Sequence, residues 1–160
     1  MIPKISKILY LTDLSEDSRK ALAYAAGLAD VHGAGITILH AFEIQSPNAA
    51  LIVSAFLGYG NMDEFARKRE AEILHEIKDR IHGVCHEIGC AFPECRFRVD
   101  QILVETGRAD EIISRHVKQG DFDLIVMGNR RGIREAILGG TAQRTMRICQ
   151  KPILIVPLKD

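Results

Sequence analysis

The sequence has no excess of charge: lysine plus arginine and aspartate plus glutamate number 21 each. Without a net field, a chain has no global attraction for DNA, an anionic lipid surface or a strongly acidic partner, so any anion site must be local. It also has no Cys-x-x-Cys pair. Cys85, Cys90, Cys95 and Cys149 follow none of the spacings that hold zinc or run disulfide exchange, and the first residues lack the apolar stretch of a secretion signal. A cytoplasmic protein with reduced thiols is expected. No apolar run is long enough to cross a membrane: the longest, Ala49 to Leu57, is broken by Ser54 and falls short of the roughly 20 residues a bilayer requires. It is expected to be loop or packing surface. Internal repeats and low-complexity linkers are absent as well.

What remains is a chain of ordinary globular composition. Hydrophobic residues make up 47% and charged residues 26%, enough to build a core and too apolar for disorder. At 160 residues it fits one domain, spanning 1–160. Ile8 to Leu11 is a short run of strand formers, followed by Thr12, Asp13 and a helix-capping group, Ser15 to Ser18. Ala21, Leu22, Ala25, Leu28 and Ala29 then recur at helical spacing, with Gly33 and Gly35 as the stop. Ile36 to His40 predicts a second strand. From Glu43 to Met62 the pattern fails: Pro47, Gly58 and Gly60 punctuate an apolar middle that could hold a short helix or a mobile flap, and no firm structure is assigned there. After Asp63, the apolar positions Ile73, Leu74, Ile77, Ile81, Val84, Cys85 and Ile88 predict a long amphipathic helix ending at Gly89. Phe97 to Val104 suits a third strand and Ala109 to Val117 a third helix. Asp123 to Gly128 predicts a fourth strand, and its apolar run Leu124 to Met127, with Phe122 nearby, suggests burial on both faces, as in a parallel sheet. A last helix from about Thr141 to Cys149 and a last strand, Pro152 to Val156, complete an alternating β/α order. That order predicts an α/β fold: a doubly wound, open, five-stranded parallel sheet with helices on both faces.

Open parallel sheets bind ligands beyond the carboxyl ends of their strands, where the strand order switches direction. Thr12, Asp13 and Gly128 fall at such ends. The segment Gly128 to Thr141 (GNRRGIREAILGGT) leaves a buried strand and ends in two glycines that open a helix. Backbone N–H groups at that helix start, from Gly139, Gly140 and Thr141, suit phosphate oxygens. Arg130 and Arg131 would add forked hydrogen bonds. The competing reading is a surface loop with a Gly-Gly turn, a threonine cap and solvated arginines. Asp13 has its own alternative as an ordinary turn or cap residue after a strand. His82, Cys85 and His86 share a helix face, but no further ligand completes a metal site, and His40 at a strand end reads as structural. No serine or cysteine nucleophile with a paired base can be found.

From end to end the chain resembles the universal stress protein family. KILYLTDLSEDSRKALAYAAGLA is similar to its first strand and helix, ITILHAFE to its second strand, and VETGRADEIISRH to the turn before its third helix. DLIVMGNRRG and ILGGTAQRTMRICQKPILIVP resemble its fourth strand, loop, last helix and fifth strand. The resemblance implies strand order 3-2-1-4-5, homodimerisation through the C-terminal strand Pro152 to Val156, and in many members ATP held across strands one and four, with magnesium on the phosphates. It places Asp13 and Thr12 at the adenine, Ala41 and Met127 around its pocket, and Gly128, Gly132, Gly139, Gly140 and Thr141 with Arg130 or Arg131 at the phosphates. The sequence departs from the family's Gly-x-x-Gly, nine residues, Gly, Ser/Thr pattern. Arg131 stands at the second glycine, Gly132 is a displaced substitute, Gly140 takes the Ser/Thr position with Thr141 beside it, and the connecting loop is two residues short.

The function expected is a non-catalytic, dimeric ATP-binding module that reports stress to unidentified protein partners, with no nucleic acid and no membrane involved. The alternative is a dimeric adaptor of the same fold that has lost its nucleotide. An enzyme of a related fold is disfavoured, because Thr12-Asp13-Leu14-Ser15 is not a glycine-rich phosphate loop and no His-x-x-His motif is present; at most, slow ATP hydrolysis is expected.

Overall fold

Apolar runs too short to be helices and amphipathic runs too long to be strands alternate along the chain, and each becomes the element its period demands. The computed structural model describes residues 1–129 and 140–158, with residues 140–142 described by backbone alone. The elements run β1 (Lys7–Leu11), α1 (Ser18–His32), β2 (Gly35–Phe42), α2 (Pro47–Leu57), α3 (Met62–Arg67), α4 (Glu70–Ala91), β3 (Arg98–Thr106), α5 (Ala109–Gln119), β4 (Leu124–Asn129), α6 (Gly140–Ile148) and β5 (Ile153–Pro157). All strand pairs are parallel, in the order β3-β2-β1-β4-β5.

Strand alternation sorts the core into two layers. Ile8, Tyr10, Ile36, Ile38 and Val126 point to one face, against α1, α2 and α4. Leu9, Leu11, Leu39, Ile125 and Met127 point to the other, against α5 and Cys149 just beyond α6. The central strands are thus covered on both sides, and each fully buried aliphatic side chain contributes about 1.5–3 kcal/mol. Helix α1 meets the sheet through Ala21, Ala25 and Ala29, all essentially inaccessible. It ends at Gly33, whose φ of 64° is the left-handed conformation that a side chain would strain.

The structure resolves one open segment and corrects two boundaries. The segment without assigned structure, 43–62, contains α2: Ser46 accepts a hydrogen bond from the Ala49 N–H, Pro47 fills the first turn, and Gly58 closes the helix in the left-handed conformation. The helix expected after Asp63 is broken at Lys68, whose backbone is extended; α3 precedes the break, and α4 runs on past Gly89 to Ala91. The third strand starts one residue later and runs to Thr106.

Candidate functional site

Strand β1 hands the chain to β2 on one side while β4 lies on its other side, so the carboxyl ends of β1 and β4 part where the crossovers diverge. A cavity of about 360 Å³ opens there. Its walls include Thr12 and Asp13 after β1, His40 and Ala41 at the end of β2, and Met127 and Gly128 in β4. That volume lies toward the small end of the roughly 300–1,000 Å³ typical of small-molecule sites.

The turn after β1 is fixed by its own side chains. The Thr12 N–H donates to the Leu39 carbonyl at 3.0 Å, extending the ladder past the strand. Thr12 Oγ1 then accepts from the Leu14 N–H at 3.1 Å, and Asp13 Oδ1 accepts from both the Ser15 N–H at 2.9 Å and the Ser15 hydroxyl at 2.6 Å. These local bonds hold Leu14 at φ 64°, a conformation that costs a residue with a Cβ about 1–2 kcal/mol. Leu14 is nevertheless buried in the first core layer. The strained turn stands over α1, where the Tyr10 hydroxyl donates to the Ser18 carbonyl at 2.8 Å and burial pushes the phenol up to about 12.

His40 ties β2 to the same turn. Its Nδ1 stands 2.8 Å from the Thr12 carbonyl oxygen. A carbonyl can only accept, so Nδ1 carries the proton and Nε2 of the neutral ring is an acceptor. That Nε2 is buried and has no hydrogen-bond partner among the described residues. Burial lowers the ring's pKa, against the opposing pull of the Thr12 carbonyl and the Asp13 carboxylate. The ring stacks on Phe42 with centroids 5.1 Å apart.

Of the residues singled out from the sequence, Thr12, Asp13, Ala41, Met127 and Gly128 converge on this one cavity. Met127 is buried in the second core layer, and Ala41 packs beside it half-buried. A side chain at Gly128 would collide with Leu158, its Cβ falling 2.5 Å from Leu158 Cδ1. Gly140 and Thr141 are the first residues of α6, so their backbone N–H groups belong to its unpaired first turn. Arg130, Arg131, Gly132 and Gly139 lie outside the described residues. Sequence reasoning missed the wall that α2 supplies, Ser46, Asn48 and Ile52, and the part played by His40. The Ser46-Pro47 start and the Gly58 stop were the only signals for α2. Among the described residues no three metal-ligating side chains cluster, and His86 Nε2 stands 3.6 Å from Cys90 Sγ.

An open parallel sheet of order β3-β2-β1-β4-β5 with a cavity at its switch point defines the class: a doubly wound α/β fold. The profile of the Universal stress protein family matches residues 4–157, and the chain belongs to that family. It is 26% identical over 153 residues to the universal stress protein A homolog of Haemophilus influenzae, covering 96% of both chains. It is 24% identical to the universal stress protein Slr1230 of Synechocystis sp., matching 96% of this chain and spanning about half, 55%, of that longer relative. Its fold is similar to that of a universal stress protein crystallised in complex with cAMP, with a TM-score of 0.59 at 20% identity over 98% of this chain and 100% of the other.

Proposed function

We propose that the chain is a non-catalytic adenine-nucleotide-binding module that acts as a homodimer, with ATP as the ligand. The observation that carries this reading is the cavity between Asp13 and Gly128, at the point where the sheet's crossovers diverge. The cAMP complex of a protein with the same fold supports an adenine ligand in this architecture. In this reading Thr12 and Asp13 meet the base, Ala41 and Met127 shape its pocket, and Gly128 lets the backbone approach closely. In the same reading the phosphates are held by N–H groups of Gly139, Gly140 and Thr141, with Gly132 as the displaced glycine and Arg130 or Arg131 neutralising their charge. Magnesium would accompany the phosphates.

The residues present fit such a ligand on both counts that matter. The cavity wall is mostly apolar around a few fixed polar groups, as base recognition needs, and α6 has no acidic residue in its first turn to repel an anion. Homodimerisation through β5 is part of the proposal. Among the described residues that strand pairs with β4 alone, so its outer edge would offer backbone groups to a second copy.

Equilibrium titration with ATP and ADP in the presence of magnesium tests the reading. Saturable binding is expected, and none at millimolar nucleotide would defeat it. Arg131 at a glycine position and the shortened loop favour the second reading, a dimeric adaptor without nucleotide. The mass of any small molecule released on denaturing freshly purified protein separates the two.

A further inference from the structure

Away from the cavity, helices α5 and α6 lie side by side with an open groove between their outer faces. On α5, Ser114 and Arg115 lie three and four residues after Glu111 and Lys118 lies three after Arg115; on α6, Arg147 and Ile148 lie three and four after Arg144. Such spacing lines each set along one helix face, and both sets border the groove. Thr145 and Cys149 turn inward and are buried, which leaves Arg144, Arg147 and Ile148 exposed on the outer side.

The charges of this groove do not cancel locally. Asp110 and Glu111 at one end are both engaged by Arg108, and Arg115 is engaged by Glu105. Lys118, Arg144 and Arg147 make no ion pair among the described residues. In a chain whose formal charge sums to zero, these three cations, without an ion pair among the described residues, give the concave surface a local excess of positive charge.

We propose that the α5/α6 groove docks a short acidic segment of a partner protein. Three observations select that occupant. The cations are separated along two helices rather than gathered around one point, which suits several carboxylates on an extended chain. Ile148 offers an apolar contact between them, which a phosphodiester backbone would not use. The carboxylates of Asp110 and Glu111 close one end, so a long polyanion running through would meet like charge. From Glu111 to Lys118 the α5 face extends about 10 Å, room for about three residues of extended chain. The groove shares no lining residue with the cavity at β1 and β4, so its occupancy stands or falls independently of nucleotide.

The test is fluorescence anisotropy with a labelled synthetic peptide of alternating glutamate and leucine, and a matched peptide with glutamine for glutamate. The glutamate peptide should bind the purified full chain and weaken as salt rises, while the glutamine peptide should not bind. The double change Arg144→Glu with Arg147→Glu, and separately Lys118→Glu, should each weaken binding by about tenfold or more, with melting temperatures near the parent's. Should the α6 changes unfold the chain, Lys118→Glu on α5 decides alone. No binding of the glutamate peptide, equal binding of both peptides, or indifference to Lys118→Glu overturns the proposal. Tighter, groove-dependent binding of an oligothymidylate or of phosphatidylserine vesicles overturns it too, in favour of a phosphate-bearing surface.

Discussion

His40 Nδ1 lies 2.8 Å from the carbonyl oxygen of Thr12, so the end of β2 and the turn after β1 are one hydrogen-bonded unit. The bond requires a proton on Nδ1, burial favours the neutral ring, and the buried Nε2 has no hydrogen-bond partner among the described residues. Helix α2, which walls the same cavity, contains no titratable residue at all, and neither does Val104, the β3 neighbour of His40. Among the described residues, the Asp13 carboxylate is the charge that acts on the ring.

A pH dependence follows with a definite sign. Burial lowers the folded-state pKa of His40 below the unfolded value of about 6.5. Above about 6.5 both states are neutral and the full stability is present; as pH falls through that value the unfolded chain takes up a proton that the fold refuses, and stability drops until the folded pKa is passed. Thermal melts of the parent should therefore fall between neutral pH and pH ~5, and His40→Gln should flatten that slope. An unchanged slope in the variant would mean that another group is responsible. Asp123 cannot be that group. Its carboxylate accepts from the Ser6 and Lys7 N–H groups at 2.8 and 3.0 Å, and these bonds, the Ser6 one foremost, lower its pKa. Its contribution is therefore present above the unfolded carboxylate value of about 3.9 and lost only in stronger acid.

At Asp13, the turn role and the binding role can be separated. Both of its hydrogen bonds from Ser15 fall on one oxygen, Oδ1, which an asparagine side chain also possesses. Asp13→Asn should keep the unfolding free energy within about 0.5 kcal/mol of the parent's, whereas Asp13→Ala should cost about 1 kcal/mol through the lost turn bonds. If the carboxylate meets adenine, Asp13→Asn should still weaken ATP binding, read by titration calorimetry. Equal affinity in parent and Asp13→Asn would leave this carboxylate a purely structural part.

The sheet was legible because burial on both faces writes itself as continuous apolar runs: Ile8 to Leu11 and Leu124 to Met127 became β1 and β4 almost residue for residue. The order of the strands was not legible from pattern and came from family resemblance. Helix α2 escaped for the opposite reason. PNAALIVSAFL is apolar on every side, so it has no period to detect, and although Ala50 and Val53 are buried, Leu51 stays 57% exposed. The break between α3 and α4 falls among Arg67, Lys68 and Arg69, all good helix formers. Tertiary packing sets it: Phe65 is buried against the edge of Tyr59, with centroids 6.3 Å apart. The tie between His40 and Thr12 joins residues 28 apart in sequence and leaves no local trace.

Close approach of α1 to the sheet depends on the small size of Ala21, Ala25 and Ala29. Ala25 has no accessible surface, so Ala25→Leu has no free volume to enter and should destabilise by about 1–3 kcal/mol in urea unfolding. In the other core layer, Ile125→Ala should cost about 2–5 kcal/mol by leaving a cavity between β4 and the side chains of α5 and Cys149. Stability gained in the first variant would mean that α1 can retreat from the sheet.

The proposed dimer edge can be probed without touching the bonds that hold β5 in place. The Ile125 N–H donates to the Pro152 carbonyl and the Leu158 N–H to the Asn129 carbonyl, both at 2.9 Å. In a parallel ladder, alternate residues of β5 turn toward β4, so the N–H groups of Leu154 and Val156 face inward with Leu158 while those of Ile153 and Ile155 face outward. Pro157, which has no N–H, takes an outward position and costs the ladder nothing. Ile153 and Ile155 also pack against the second core layer, so a charge there would disturb the fold as well as an interface. Ile155→Pro is the sharper change: it deletes one outward donor and leaves every bond to β4. If two copies pair through β5, sedimentation should show the parent as a dimer and Ile155→Pro shifted toward monomer, its melting transition still cooperative. A dimer indifferent to Ile155→Pro must be held by some other surface, and a parent that sediments as a monomer removes the edge-pairing proposal altogether.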